Sequence, residues 1–250
     1  MPNTYFQFKQ FRVNQDRCAL KVCTDACIQG AVTAKWLRNR LNSHDVKPAP
    51  RLLDIGTGTG LLSLMMAQAI PEGYVEGVEF DVDTALQAAE NFCQSPWSDR
   101  LKSLAIDVRT FEPTSMYDYI ISNPPFYEED LKSTHPGKAR AKHTISLSFD
   151  ELLMSIDRLL HECGFFSIML PASTFKRWRA MAKRNDFYPC YILEVGQSPA
   201  HNYFRTIGIF CRGEIAAPQK DRLFIKDIFG KYTLEMKDLL EDYYLYFPGN

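Results

Sequence analysis

The chain has 250 residues, 46% hydrophobic and 24% charged, and its 29 Lys and Arg against 30 Asp and Glu leave a formal net charge of −1. That length suits one large domain or two small ones, and the composition excludes a disordered chain, a collagen-like repeat and a small disulfide-stapled scaffold. Near-neutrality excludes a protein that coats nucleic acid by bulk charge, so any such contact must come from a local basic patch.

Seven cysteines are present, none in CxxC; Cys23 and Cys27 lie four apart with no second ligand pair at zinc-like spacing. They read as reduced thiols, the usage of a cytoplasmic protein, and no metal is expected. The opening MPNTYFQFKQF lacks the charged start and apolar core of a signal peptide. No apolar run approaches the roughly 18 residues of a membrane span. The expectation is a monomer without a membrane partner.

In chain order, the strand-like RLLDIG is followed by a helical LLSLMMAQAI, then YVEGVEF, the helical DVDTALQAAENFCQ, and the strand-like LKSLAID and YDYIISN. A helix in DELLMSIDRLLHECG precedes a strand in FFSIMLP. Strands alternating with helices predict βαβ units and a parallel sheet, with ligands at the carboxyl ends of the strands. After a helix in TFKRWRAMAKRN, CYILEVGQ and YFRTIGIFCRG read as an antiparallel pair joined by SPAHN; GEIAAPQKDR reads as a loop and TLEMKDLLEDYYLYF as a C-terminal helix. The expected architecture is α/β and Rossmann-like, a mostly parallel seven-stranded sheet ending in an antiparallel pair. It forms a single domain with an N-terminal cap over 1–50, a core over 51–213 and a C-terminal extension over 214–250.

LLDIGTGTG sets Asp54, Gly56, Gly58 and Gly60 at a strand-to-helix junction. Glycines there allow positive φ and close approach of a ligand, and the helix that follows offers free N–H groups. The spacing departs from the dinucleotide GxGxxG, which argues against a nicotinamide oxidoreductase. The acid before the first glycine suits a cofactor carrying an amino-acid moiety. Glu79 ends the next strand about 20 residues on, where an acid holds ribose hydroxyls. Asp107 follows the third strand, where it can accept from an adenine amino group. Singly, Glu79 and Asp107 read more readily as solvated loop carboxylates than as ligands, and a glycine turn alone is as readily a tight connection or another nucleotide site. Placed in series on consecutive strand ends, they point to S-adenosylmethionine.

The fourth strand runs into Asn123, Pro124, Pro125 and Phe126. The prolines fix φ and remove two donors, so carbonyls there are held outward. An Asn side-chain oxygen and a Pro carbonyl can accept both hydrogens of one NH2 group. This favours a pyramidal nitrogen aimed at a sulfonium methyl, without a strong general base. Phe126 can stack on a flat acceptor and Tyr127 assist. Standing alone, the motif would read as a rigid turn with an aromatic plug. His135, His143 and His201 read as loop histidines or phosphate contacts, and this chemistry requires none of them as a proton acceptor.

The glycine loop with NPPF resembles the amino-methyltransferases, which act on adenine N6 in nucleic acids or glutamine N5 in proteins. Together with FQFKQFRVNQDRCALKVCTDACIQG, NFCQSPWSDRL, IISNPPFY and the YYLYF ending, the chain resembles the bacterial tRNA(Val) (adenine-37-N6)-methyltransferase family over nearly its whole length. The resemblance implies a class I methyltransferase fold, S-adenosyl-L-methionine as cofactor, and methylation of the adenine beside the anticodon of a valine tRNA. It implies that Asp54, Gly56, Gly58 and Gly60 form the cofactor loop, that Glu79 meets the ribose and Asp107 the adenine ring, and that Asn123 to Phe126 receive the target base. Lys21, Thr24 and Asp25 would lie near the methionine end. Ala26 departs from the Gly expected in the family.

Two segments are basic. Lys132, Lys138, Arg140, Lys142 and His143 follow NPPF, and Lys176, Arg177, Arg179, Lys183 and Arg184 share one helix-like stretch without an acid. Either can pair with phosphates, and the second is equally a solvated helix face. The first, beside the acceptor motif, is the expected tRNA contact through Lys138, Arg140, Lys142 and His143. Loop RNA suits such a site because an unpaired base leaves its stack at low cost. The alternatives are a protein glutamine-N5 methyltransferase and a noncatalytic S-adenosylmethionine- or RNA-binding module.

Overall fold

The computed structural model describes residues 3–18, 21–42, 49–124 and 147–247. Its centre is β3 (Arg51–Ile55), four of whose five residues are buried, as a strand covered on both faces requires. Parallel to it lie β4 (Tyr74–Glu79), β5 (Leu101–Ala105), β6 (Tyr117–Ser122) and β7 (Leu160–Pro171). β9 (Tyr203–Arg212) runs antiparallel between β7 and β8 (Phe187–Gly196), and β10 (Gln219–Phe224) adds parallel to β8. Across the sheet the order is β10-β8-β9-β7-β6-β3-β4-β5.

Successive side chains point to opposite faces, and the sheet uses both. Leu52, Tyr119 and Ile121 enter one core with α1 (Thr24–Asn42), α2 (Leu61–Ala69) and α3 (Val82–Cys93). Leu53, Ile55 and Ile120 enter a second core with α4 (Phe149–Leu159) and α5 (Ala172–Arg184), where Phe149 meets Trp178 edge-on at 5.3 Å. A short hairpin of β1 (Tyr5–Gln7) and β2 (Arg12–Asn14) is tied to α3 by Asn91, whose Oδ1 accepts from the Asn14 N–H and whose Nδ2 donates to the Asn14 and Thr59 carbonyls. Lys9 donates its backbone N–H to the Tyr243 carbonyl, joining the hairpin to the segment after α6 (Leu234–Leu240).

The α/β class, the mostly parallel sheet and the antiparallel β8–β9 pair are as expected. Among the described residues the large sheet has eight strands, not seven: β10 occupies residues that read as a loop, because four of its six side chains are exposed and an edge strand of that kind carries almost no apolar signal. The helix expected through HECG stops at Leu159, and β7 takes over at Leu160. The C-terminal helix ends at Leu240, after which Tyr244 and Phe247 pack ring to ring at 5.5 Å. All seven cysteines are free thiols. Among the described residues no helix is long and apolar enough to cross a membrane, and no three His, Cys, Asp or Glu side chains gather as a metal site.

Candidate cofactor and acceptor site

Because β6, β3, β4 and β5 are neighbours running in one direction, their carboxyl ends line one edge of the sheet. Asn123, the glycine loop, Glu79 and Asp107 therefore stand in a row. At the usual strand spacing the row is about 14 Å long, suited to one extended ligand.

Asp54 is completely buried, and its Oδ2 accepts from Thr57 Oγ1 at 2.7 Å, Ser63 Oγ at 2.8 Å and the Ser63 N–H at 3.2 Å. These bonds fold the loop back onto the first turn of α2. Burial outweighs them and pushes the carboxyl up to about 6. Its Oδ1 is buried without a partner among the described residues.

Gly56, Gly58 and Gly60 have φ of +71°, +56° and +83°, left-handed values that favour glycine. They differ in surroundings. A Cβ on Gly60 would lie 2.4 Å from Cε1 of Phe92, so the third glycine lets α2 approach α3. A Cβ on Gly56 would meet nothing within 4 Å, and one on Gly58 only the Gly56 carbonyl at 4.0 Å. The first two glycines thus form an open floor. Glu79 closes its far side: Oε2 accepts from the Gly58 N–H at 3.1 Å and Oε1 from the Asp81 N–H at 3.2 Å.

Asp107 meets Arg109, whose Nε lies 3.0 and 2.9 Å from the two carboxylate oxygens and whose Nη2 lies 2.6 Å from Oδ2. That guanidinium holds the Asp107 carboxyl below the usual carboxylate range. Arg109 also reaches Glu151 Oε1 at 3.1 Å, linking the site's edge to α4. Sequence reasoning missed Arg109, although its place two residues after Asp107 was a usable signal.

At the end of β6, Ser122 donates its hydroxyl to the Ile55 carbonyl at 2.9 Å and accepts at its own carbonyl from Gln29 Nε2 at 2.9 Å. The peptide leading into Asn123 is thereby fixed. Asn123 Oδ1 is buried and, among the described residues, has no hydrogen-bond partner. Of the remaining acceptor-motif residues Pro124 is described, while Pro125, Phe126 and Tyr127 lie outside the described residues. So does the basic segment with Lys132, Lys138, Arg140, Lys142 and His143.

Thr24 opens α1, and Asp25 in its first turn pairs through Oδ2 with Arg205 Nε at 2.9 Å. Lys21 is exposed, its Nζ 3.4 Å from the Asn3 carbonyl. Ala26 is buried in the core. Gln29 and Arg205 also escaped sequence reasoning; Arg205 lies 180 residues from its partner and has no local signal. On α5, Phe175, Trp178, Met181 and Ala182 are buried, and Lys176, Arg177, Arg179, Lys183 and Arg184 occupy the exposed face.

An open glycine floor bordered by strand-end carboxylates suits S-adenosylmethionine. Residues 32–141 match the model of the methyltransferase small domain family. The fold is that of a predicted O-methyltransferase from Agrobacterium tumefaciens, with a TM-score of 0.66 at 16% identity, covering 90% of this chain and 99% of that one. The chain is 36% identical over 242 residues to a tRNA1(Val) (adenine(37)-N6)-methyltransferase of Flavobacterium johnsoniae, covering 96% of this chain and 99% of the relative. A protein of the same description from Dyadobacter fermentans is 40% identical over 248 residues, covering 98% of this chain and 99% of the relative. With such identity along nearly its whole length, the chain belongs to the tRNA1(Val) (adenine(37)-N6)-methyltransferase family.

Proposed function

We propose that the chain is a cytoplasmic, monomeric S-adenosyl-L-methionine-dependent enzyme that methylates the exocyclic N6 of adenine 37 in valine tRNA. The observation that carries this reading is the buried Asn123 Oδ1, without a partner among the described residues, in line with the glycine floor. When bound, the cofactor supplies a methyl group on a positively charged sulfur, electrophilic enough for direct transfer.

Asp54 shapes the glycine loop, and the backbone at Gly56, Gly58 and Gly60 lets the cofactor approach. Glu79 accepts from the ribose hydroxyls while it anchors Gly58. Asp107, oriented by Arg109, faces the adenine ring with the lone pairs that Arg109 leaves. Lys21, Thr24 and Asp25 surround the methionine end. The whole chain works as one catalytic unit, a reading supported by the shared core that runs from Phe8 to Tyr243.

Asn123 Oδ1 and the Pro124 carbonyl each accept one hydrogen of the target amino group. The nitrogen lone pair is thereby withdrawn from conjugation and aimed along the transfer axis. Pro125 stiffens the turn, Phe126 stacks on the adenine, and Tyr127 assists. Lys138, Arg140, Lys142 and His143 contact phosphates of the anticodon arm. The proton is lost from the methylated nitrogen to water after transfer, so no buried base is needed.

Transfer of labelled methyl to total tRNA lacking the modification, followed by nucleoside analysis, tests the proposal. Label in N6-methyladenosine at position 37 is expected. Absence of label in tRNA, with label instead in protein glutamine, overturns it.

A further inference from the structure

We propose that Arg205 is a positioning residue for the cofactor's methionine end and acts through Asp25. Arg205 stands near the start of β9, opposite Pro171 of β7 and Val195 of β8. Because β9 runs against its neighbours, its start lies at the sheet edge that carries Asn123 and the glycine loop. From there Nε donates to Asp25 Oδ2 at 2.9 Å while Nη1 reaches the Phe204 carbonyl at 3.3 Å. The two side chains are 24% and 16% exposed, so the pair is largely shielded from water.

The other Asp25 oxygen accepts from the Ala26 N–H at 3.1 Å. Both oxygens are held, and the carboxylate has one orientation. One turn further along α1, Gln29 is bonded to the Ser122 carbonyl beside Asn123. The opening turns of α1 are therefore tied once to β9 and once to β6. A helix whose start carries a cofactor contact needs such ties, since a displacement of about 1 Å at a reacting group costs roughly a hundredfold in rate. Arginine suits the task because its planar guanidinium fixes a carboxylate's direction, which the point charge of lysine does not.

The inference rests on Asp25 as a cofactor contact. Calorimetric titration of the full chain with S-adenosylmethionine, without tRNA, tests it on Asp25→Asn, Arg205→Met, Arg205→Lys and the double variant Asp25→Asn with Arg205→Met. Arg205→Met is expected to weaken cofactor affinity about tenfold and Arg205→Lys less, while KM for tRNA stays as in the wild type. The double variant is expected to bind no more weakly than Asp25→Asn alone. Additive losses, or unchanged affinity in Arg205→Met when Asp25→Asn is impaired, overturn the inference and leave the Asp25 assignment standing. Unchanged affinity in Asp25→Asn overturns both. If the Met variant does not fold, Arg205→Lys alone carries the test: full affinity overturns the inference, and a partial loss that vanishes in an Asp25→Asn background supports it.

Discussion

Gly58 donates its backbone N–H to Glu79 Oε2 at 3.1 Å, joining a loop and a strand end 21 residues apart into one unit. The same carboxylate that is proposed to meet the ribose therefore also sets the shape of the floor beneath the cofactor. Replacing Glu79 by Ala removes both a cofactor contact and a charge-assisted hydrogen bond of about 1.5–3 kcal/mol. Cofactor affinity is expected to fall at least tenfold, measured by calorimetry, and undiminished affinity would remove Glu79 from the site.

The glycines separate into two roles. Gly60→Ala sets a Cβ against the Phe92 ring at a positive φ, a clash and a strain of together about 2–4 kcal/mol. At 2–4 °C per kcal/mol for a chain of this size, Tm should drop by roughly 4–16 °C. Gly56→Ala meets open space and carries only the backbone strain, about 1–2 kcal/mol. Its larger effect should be on cofactor affinity. Scanning calorimetry of both variants, with and without cofactor, checks the contrast; equal loss of stability in the two would refute it.

Asn123→Ala should lower the single-turnover methyl-transfer rate by about a hundredfold or more and leave cofactor affinity unchanged, because the glycine floor and Glu79 are untouched. A parallel loss of cofactor binding would mean that Asn123 supports the fold of the site instead of the acceptor.

The buried Asp54 carries a pH signature. Its carboxyl is raised to about 6 by burial, from 3.8. Well below pH 3.8 both folded and unfolded chains hold the proton. As pH climbs toward 6 the unfolded chain releases it while the folded chain retains it, so this group's contribution to stability falls across that window and is constant above it. The full penalty is on the order of 3 kcal/mol. The difference in unfolding free energy between the wild type and Asp54→Asn, followed by urea titration from pH 4 to 7, should move against the wild type as pH rises. Asp107, held below its usual range by Arg109, acts in the opposite sense at lower pH and cancels in that difference. A flat difference would show that Asp54 ionises normally.

Much of the molecule could be read from local chemistry. The glycine turn was legible because φ is a property of one residue and Gly56, Gly58 and Gly60 adopt the left-handed values their spacing suggested. The central strands were legible because buried parallel strands are rich in apolar residues, as at Leu52 and Leu53 of Arg51–Ile55 and at Tyr119, Ile120 and Ile121 of Tyr117–Ser122. β10 was not, since an edge strand with one buried residue resembles a polar loop. Nor was the helix-to-strand change at Leu160, where the helix passes into the strand without a Gly or Pro between.

The sequence by itself therefore determined the fold class, the strand-end row of Asp54, Glu79, Asp107 and Asn123, and the family to which the chain belongs, because these depend on backbone preferences and on short-range order. Only the tertiary structure decided which polar groups meet: Arg205 with Asp25 across 180 residues, Gln29 with Ser122 across 93, Arg109 between Asp107 and Glu151, and Asn123 Oδ1 with no other described group. A hydrogen bond needs two atoms within about 3 Å in a set direction. That proximity is created by the order in which strands pair, which the residues at either end do not encode.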